Sequence, residues 1–279
     1  ANDQDPWEMI MGGVQPRRSF PLGAVPTLAA AGSETSFSMV ITNTENWLKR
    51  SLNHDRNRPV FALMNPELTA TAPAYATACG IVDIMMHSLE RYVGPDRDTE
   101  LTDRMAEGLL LSVKEAGTAV MKNLQDYEAR ATLLLAASLS HNGLTGLGRD
   151  VLMTAHKIEH EISAAYDRVA HGAGLAAIYP AWLTYIHRQD PERLARLATS
   201  VFGIPEDRQD PVGTALAGIQ AMKEYFQSIS MPTSLRELDI PKDSLPGMAE
   251  KCTAGGSLSH PSYFPIGQKE VLEILHLAY

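Results

Sequence analysis

Residues 78–93 are almost wholly apolar and are interrupted by Asp83, His87 and Glu90, and this combination constrains the fold most. A helix with no polar face must be buried nearly all round, so the chain must supply enough other helices to enclose it. Asp83 and His87 stand at i and i+4, stacked on one face about 6 Å apart along the axis. A buried ionised carboxylate costs several kcal/mol at least unless it is partnered. Two arrangements meet that demand. One is an Asp–His hydrogen bond that orients a core histidine. The other is half of a metal site, since carboxylate oxygen and imidazole nitrogen are common ligands.

The enclosing helices are visible as periodic patterns over 101–124, 128–139, 151–166 and 174–186, the last following a glycine-bearing turn after His171. Asp190-Pro191-Glu192 reads as an N-cap followed by proline at the first helical position, with Gly203 as the stop. Further helices are expected over 211–229 and 268–278. Before Pro73 the texture is different, punctuated by Pro and Gly. Strands are expected over 38–42 and 59–64, joined by a polar, basic connection over 45–58.

Charge and composition narrow the function classes. Lys+Arg number 24 against 33 Asp+Glu, a net charge of −9, which repels phosphate backbones and disfavours a general nucleic-acid binder. Two cysteines, Cys79 and Cys252, are too few for a disulfide scaffold or a cysteine zinc site. No apolar run reaches membrane-spanning length, and the polar, acidic start is unlike a secretory signal. These features suggest a cytoplasmic protein without membrane partners. The start has no methionine and enters what reads as a loop, so a processed or shortened chain is expected.

A second histidine cluster follows. His156 and His160 are again at i and i+4, and His171 precedes a new helix. His54, His141, His187, His260 and His276 lie in polar or terminal contexts and read as surface residues. His156-Lys157-Ile158-Glu159-His160 matches H-x-x-E-H, in which two histidines bind zinc and the glutamate activates water. From residues alone, three readings stay open: a metal enzyme using Asp83 and His87, a zinc metallopeptidase, and a non-enzymatic helical domain with hydrogen-bonded core pairs.

With both clusters considered, the chain resembles the iron-containing (group III) alcohol dehydrogenases, in particular their butanol-dehydrogenase-like branch. The resemblance is carried by Pro26-Thr27-Leu28-Ala29-Ala30-Ala31-Gly32-Ser33-Glu34, by Met64-Asn65-Pro66-Glu67-Leu68-Thr69 and by residues 80–90. Glu159-His160-Glu161-Ile162-Ser163-Ala164 and Ala170-His171-Gly172-Ala173-Gly174-Leu175-Ala176 complete it in family order. It implies a mainly α chain: a remnant of an α/β dinucleotide-binding domain over 1–72, then an all-helical, dehydroquinate synthase-like metal-binding domain over 73–279.

The resemblance also implies one divalent metal, Fe2+ ahead of Zn2+, held by Asp83, His87, His156 and His171, with His160 assisting proton transfer. A divalent ion so held acts as a Lewis acid toward an alcohol or carbonyl oxygen. Hydride then passes between NAD or NADP and a small alcohol or aldehyde. Thr27, Gly32, Ser33, Lys49 and Leu68 match the cofactor-facing positions, and a homodimer is implied. Three departures stand out. The stretch from His160 to His171 is one residue longer than the commonest spacing, through Arg168. Asn65 replaces the usual Asp, and Ala29 and Ala31 replace Pro and Thr. Met11-Gly12-Gly13-Val14 has no strand before it, so the phosphate-binding lobe is expected to be absent and turnover by this chain alone weak.

Overall fold

The computed structural model describes residue 3, residues 5–95 and residues 99–279; Ala1, Asn2 and Gln4 of the polar start lie outside the described residues. A short helix α1 (Pro6–Ile10), capped by the Asp5 carboxylate, opens the chain. Strand β1 (Gly23–Ala24) follows, then β2 (Ser38–Asn43), β3 (Leu48–Asn53) and β4 (Phe61–Ala62). β2 and β3 form an antiparallel hairpin in register from Ser38–Asn53 to Asn43–Leu48, and β1 pairs in parallel with β4. The polar connection expected over 45–58 is therefore corrected: residues 48–53 of it form a strand. Its lysine and arginine side chains mask the pattern because they are used in contacts with a helix, described below.

The strand expected over 59–64 shrinks to Phe61–Ala62, since its partner is only two residues long. Its flanks still bond to the chain around β1, Val60 N–H to the Leu22 carbonyl and Leu63 N–H to that of Ala24. Val60, Phe61 and Leu63 remain largely exposed.

From Ala74 the structure is helical. The elements are α2 (Ala74–Tyr92), α3 (Glu100–Lys122), α4 (Tyr127–His141), α5 (Thr154–Ala165) and α6 (His171–Ile186), then α7 (Pro191–Phe202), α8 (Pro211–Ser228), α9 (Leu245–Cys252) and α10 (Gln268–Ala278). α2 is buried along almost its whole length, as its all-round apolarity requires, and packs against α3, α4 and α6. Among the described residues, the apolar core is built from buried side chains between Ala78 and Ala278. Asp190 caps α7 and Gly203, at φ 70°, ends it.

The turn expected before α6 is corrected too. His171 is the first residue of that helix, and Gly172 and Gly174 lie inside it. A Cβ on Gly172 would sit 2.1 Å from the Cys79 carbonyl oxygen, so this glycine lets the start of α6 press against the backbone of α2. That close approach carries His171 to the face of α2 that bears Asp83. No helix among the described residues is long and apolar enough to cross a membrane.

Candidate metal centre

Asp83 projects from the middle of α2, one turn before His87, and only 5% of its surface is exposed. Its Oδ1 is surrounded by imidazole nitrogens: His87 Nδ1 at 3.4 Å, His156 Nε2 at 3.8 Å and His171 Nε2 at 3.7 Å. These separations are too long for hydrogen bonds. Asp83 Oδ1, His87 Nδ1 and His156 Nε2 are buried and have no hydrogen-bond partner. Leaving three such atoms unsatisfied in one place is costly, and lone pairs converging around a gap are what a cation requires. One carboxylate and three imidazoles form an N/O donor set that suits a divalent transition metal.

Each histidine is held from behind. Glu90, on the same helix as Asp83, bonds His156 Nδ1 and also accepts from the Ala155 N–H at 2.5 Å and the His156 N–H at 3.3 Å. α5 has no cap of its own, so Glu90 both satisfies its N-terminus and sets the first turn against α2. Glu159 bonds His171 Nδ1. His87 stacks on His141, ring centroids 4.0 Å apart, and His141 Nδ1 is 2.8 Å from the Ala31 carbonyl oxygen.

The electrostatics follow from this packing. Burial disfavours the Asp83 carboxylate, but His87, His156 and His171 outweigh it and hold the group well below the usual carboxylate range. Burial likewise opposes charge on His156, yet Glu90 and Asp83 raise it to about 9. Burial keeps His87 well below its ordinary value, and His141 falls to about 4 for the same reason, aided by Arg91. His160 is half-buried, with its ring centroid 5.5 Å from that of His171. Burial, with His171 and Lys49 nearby, holds it well below its ordinary value, so its imidazole is neutral at pH 7.

The expectation that the five remaining histidines are surface residues is corrected for two of them. His141 is buried behind His87, and His260 is buried with its Nε2 2.9 Å from the Cys252 carbonyl oxygen. Polar neighbours in sequence hid both. A cavity of about 770 Å³ is lined in part by Lys49, Arg50, Lys157, Cys252 and His260. His160 forms part of its wall, whereas Asp83, His87, His156 and His171 do not.

Residues 77–279 match the Fe-containing alcohol dehydrogenase family, C-terminal, and residues 1–66 match iron-containing alcohol dehydrogenase. The chain is 37% identical over 278 residues to NADH-dependent butanol dehydrogenase A of Clostridium acetobutylicum, covering 99% of this chain and 71% of that relative. The chain belongs to the iron-containing alcohol dehydrogenase family. It is also 32% identical over 255 residues to the NADPH-dependent aldehyde reductase YqhD of Escherichia coli, covering 90% of this chain and 65% of that protein. The crystal structure of NADH-dependent butanol dehydrogenase A from Thermotoga maritima superposes with a TM-score of 0.93 at 29% identity, covering 99% of this chain and 70% of that one.

Within this alcohol dehydrogenase framework the departures from family pattern find local explanations. Arg168, where one additional residue before His171 is expected, lies between α5 and α6. Its guanidinium donates to the Leu238 and Asp239 carbonyls at 2.6 and 2.8 Å, so the segment before His171 is tied down, and His171 faces Asp83. Asn65 accepts from the Glu67 N–H at 3.0 Å, the capping work an aspartate would do. Of the positions expected to face the cofactor, Thr27, Ser33 and Leu68 are exposed, and Lys49 donates to Ser163 Oγ at 2.9 Å. Gly32 is buried at φ +61°, where a Cβ would meet the Ala137 carbonyl oxygen at 2.3 Å. The loop carrying Gly32 thus rests on α4 and, through Ala31 and His141, on His87.

Proposed function

We propose that this chain is the metal-holding part of an alcohol dehydrogenase or aldehyde reductase that moves hydride between NAD or NADP and a small alcohol or aldehyde. The observation that supports it most is the ring of three imidazole nitrogens around Asp83 Oδ1, with buried donor atoms that have no partner. In this reading Asp83, His87, His156 and His171 hold one divalent ion, Fe2+ ahead of Zn2+. Such an ion supplies Lewis-acid polarisation of the substrate oxygen.

The chain's own groups provide the rest. Glu90 and Glu159 bond the Nδ1 of His156 and of His171, which turns the Nε2 of each ring toward Asp83. His160, whose ring centroid lies 5.5 Å from that of His171, is the group we assign to taking up the hydroxyl proton during alcohol oxidation and returning it during aldehyde reduction. Thr27, Gly32, Ser33, Lys49 and Leu68 contribute the cofactor-facing side, residues 1–72 and 73–279 act as the two domains, and the working form is a cytoplasmic homodimer. The H-x-x-E-H peptidase reading is disfavoured because the Glu159 carboxylate is engaged by His171 and Ser163 instead of being free to activate water.

Gly12-Gly13 follows helix α1, and the next element is the strand β1 (Gly23–Ala24), so it is not the strand–glycine–helix turn that cradles a pyrophosphate. We expect the 279-residue chain alone to bind metal yet turn over butanal with NADH or NADPH weakly. Elemental analysis of wild type, Asp83→Ala and His160→Ala tests the metal reading: one equivalent, none and one equivalent are expected. Metal retained by Asp83→Ala and lost by His160→Ala would reverse the assignment. Ordinary nicotinamide-dependent turnover by the chain alone would refute the expectation of weak activity.

A further inference from the structure

The three imidazoles around Asp83 are not held equally. His156 is almost fully buried, and Glu90 ties both its ring and the start of its helix. His87 is sandwiched within α2 and against His141. His171 is different: its side chain is 27% exposed, and as the first residue of α6 it lacks a preceding helical turn to pack against. Its ring orientation therefore depends on the group at Nδ1, and that group is Glu159 Oε2.

Glu159 is wholly buried, and the surroundings are shaped to keep its carboxylate where it is. Ser163, one turn along α5, has its Oγ 3.3 Å from the same Oε2. Lys49, reaching across from β3, donates to that Oγ at 2.9 Å, which frees the serine hydrogen to point at the carboxylate. On the other side, a Cβ on Gly174 would lie 2.5 Å from Glu159 Oε1, so the absence of a side chain there makes the room the carboxylate occupies.

We propose that Glu159 is the positioning residue for His171, held in place by a relay from Lys49 through Ser163. By accepting the Nδ1 hydrogen, its carboxylate selects the tautomer whose Nε2 lone pair faces Asp83, and it makes that nitrogen a better donor. The inference rests on the metal reading above. It gives Glu159 a task unlike that in the H-x-x-E-H scheme, and it links Lys49, assigned to the cofactor side, to the metal cradle by three successive hydrogen bonds.

The test is competition titration of the metal-free, full 279-residue chain with Zn2+ against a chromophoric chelator, together with the visible spectrum of the Co2+-loaded form. Wild type should bind one equivalent. Glu159→Gln, nearly the same shape without the charge, should bind about 10- to 100-fold more weakly and shift the Co2+ bands. Ser163→Ala should weaken binding in the same direction by a smaller factor. Glu161→Gln removes a neighbouring buried carboxylate that pairs with Arg50 and does not touch the cradle, so it should leave both readouts unchanged. Wild-type affinity and an unshifted spectrum in Glu159→Gln overturn the inference while leaving the metal reading intact. A wild-type chain that binds no Zn2+ overturns both. Should Glu159→Gln fail to fold, Ser163→Ala decides: unchanged affinity and spectrum overturn the inference.

Discussion

His141 lies face to face with His87, ring centroids 4.0 Å apart and planes inclined by 23°, so an imidazole from the last turn of α4 forms the back wall of the cradle around Asp83. Its Nδ1 reaches the Ala31 carbonyl, in the loop that carries Gly32 and Ser33. A single buried ring thus joins the proposed cofactor side to the proposed metal side. Lowered to about 4 by burial, it stays neutral at working pH and adds no repulsive charge to the cradle.

Replacing His141 by alanine should remove this wall. The lost ring contact is worth about 0.5–1.5 kcal/mol beyond the cavity left behind. The expected result is a lower urea midpoint for the metal-free chain together with weaker Zn2+ binding. His141→Phe keeps a ring of similar size and should recover most of the stability. An alanine variant with unaltered stability and affinity would show that the stacking has no mechanical role.

Gly32→Ala should destabilise the fold by roughly 1–3 kcal/mol, since it forces a side chain into a left-handed conformation. Its Cβ would also meet the Ala137 carbonyl oxygen at 2.3 Å, and that obstacle is backbone, which cannot swing aside. Denaturant titration followed by far-ultraviolet circular dichroism measures the change. Ser33→Ala, on the exposed neighbour, should stay within about 0.5 kcal/mol of wild type.

The two cysteines give a pH-dependent prediction. Burial raises Cys79 to about 11 and Cys252 to about 12, against roughly 8.5 for an unfolded thiol. Alkylation needs the thiolate, so iodoacetamide at pH 8 should modify the folded chain far more slowly than the denatured one. Because the folded values are raised, the associated stability is fully present below about pH 8.5 and is lost as pH climbs toward 11–12. Mass spectrometry of native and urea-treated samples checks this; equal rates in the two samples would contradict the burial argument.

Arg168→Ala addresses the segment between α5 and His171. Removing the guanidinium deletes two hydrogen bonds to the Leu238 and Asp239 carbonyls. The expected cost is about 1–3 kcal/mol of stability, with a modest drop in metal affinity as the start of α6 loosens. Loss of stability without any change in affinity would mean that the anchor serves the fold alone.

Much of this architecture could be read from local chemistry. Asp190, Pro191 and Gly203 bound α7 because capping and left-handed termination depend on a few adjacent residues. The i, i+4 spacing of Asp83 and His87 puts both on one face of α2, whatever else the chain does. The strand 48–53 was not legible, because Lys49 and Arg50 look solvated until α5 supplies Ser163 and Glu161 as their partners. His141 and His260 were misjudged for a related reason: burial is decided by which elements pack together, and the flanking residues do not report it.

The sequence by itself determined that an almost wholly apolar helix with a carboxylate and an imidazole must be enclosed and must find a partner for its charge. That follows from helix periodicity and the cost of desolvation, both local quantities. Only the tertiary structure decided which distant histidines answer Asp83. His160 and His171 are comparable candidates in the chain, and the packing of Gly172 on the Cys79 carbonyl brings His171 to Asp83 while leaving His160 at the cavity wall. Convergence of side chains from different helices is set by how close their backbones can approach, and that distance exists only once the helices are packed.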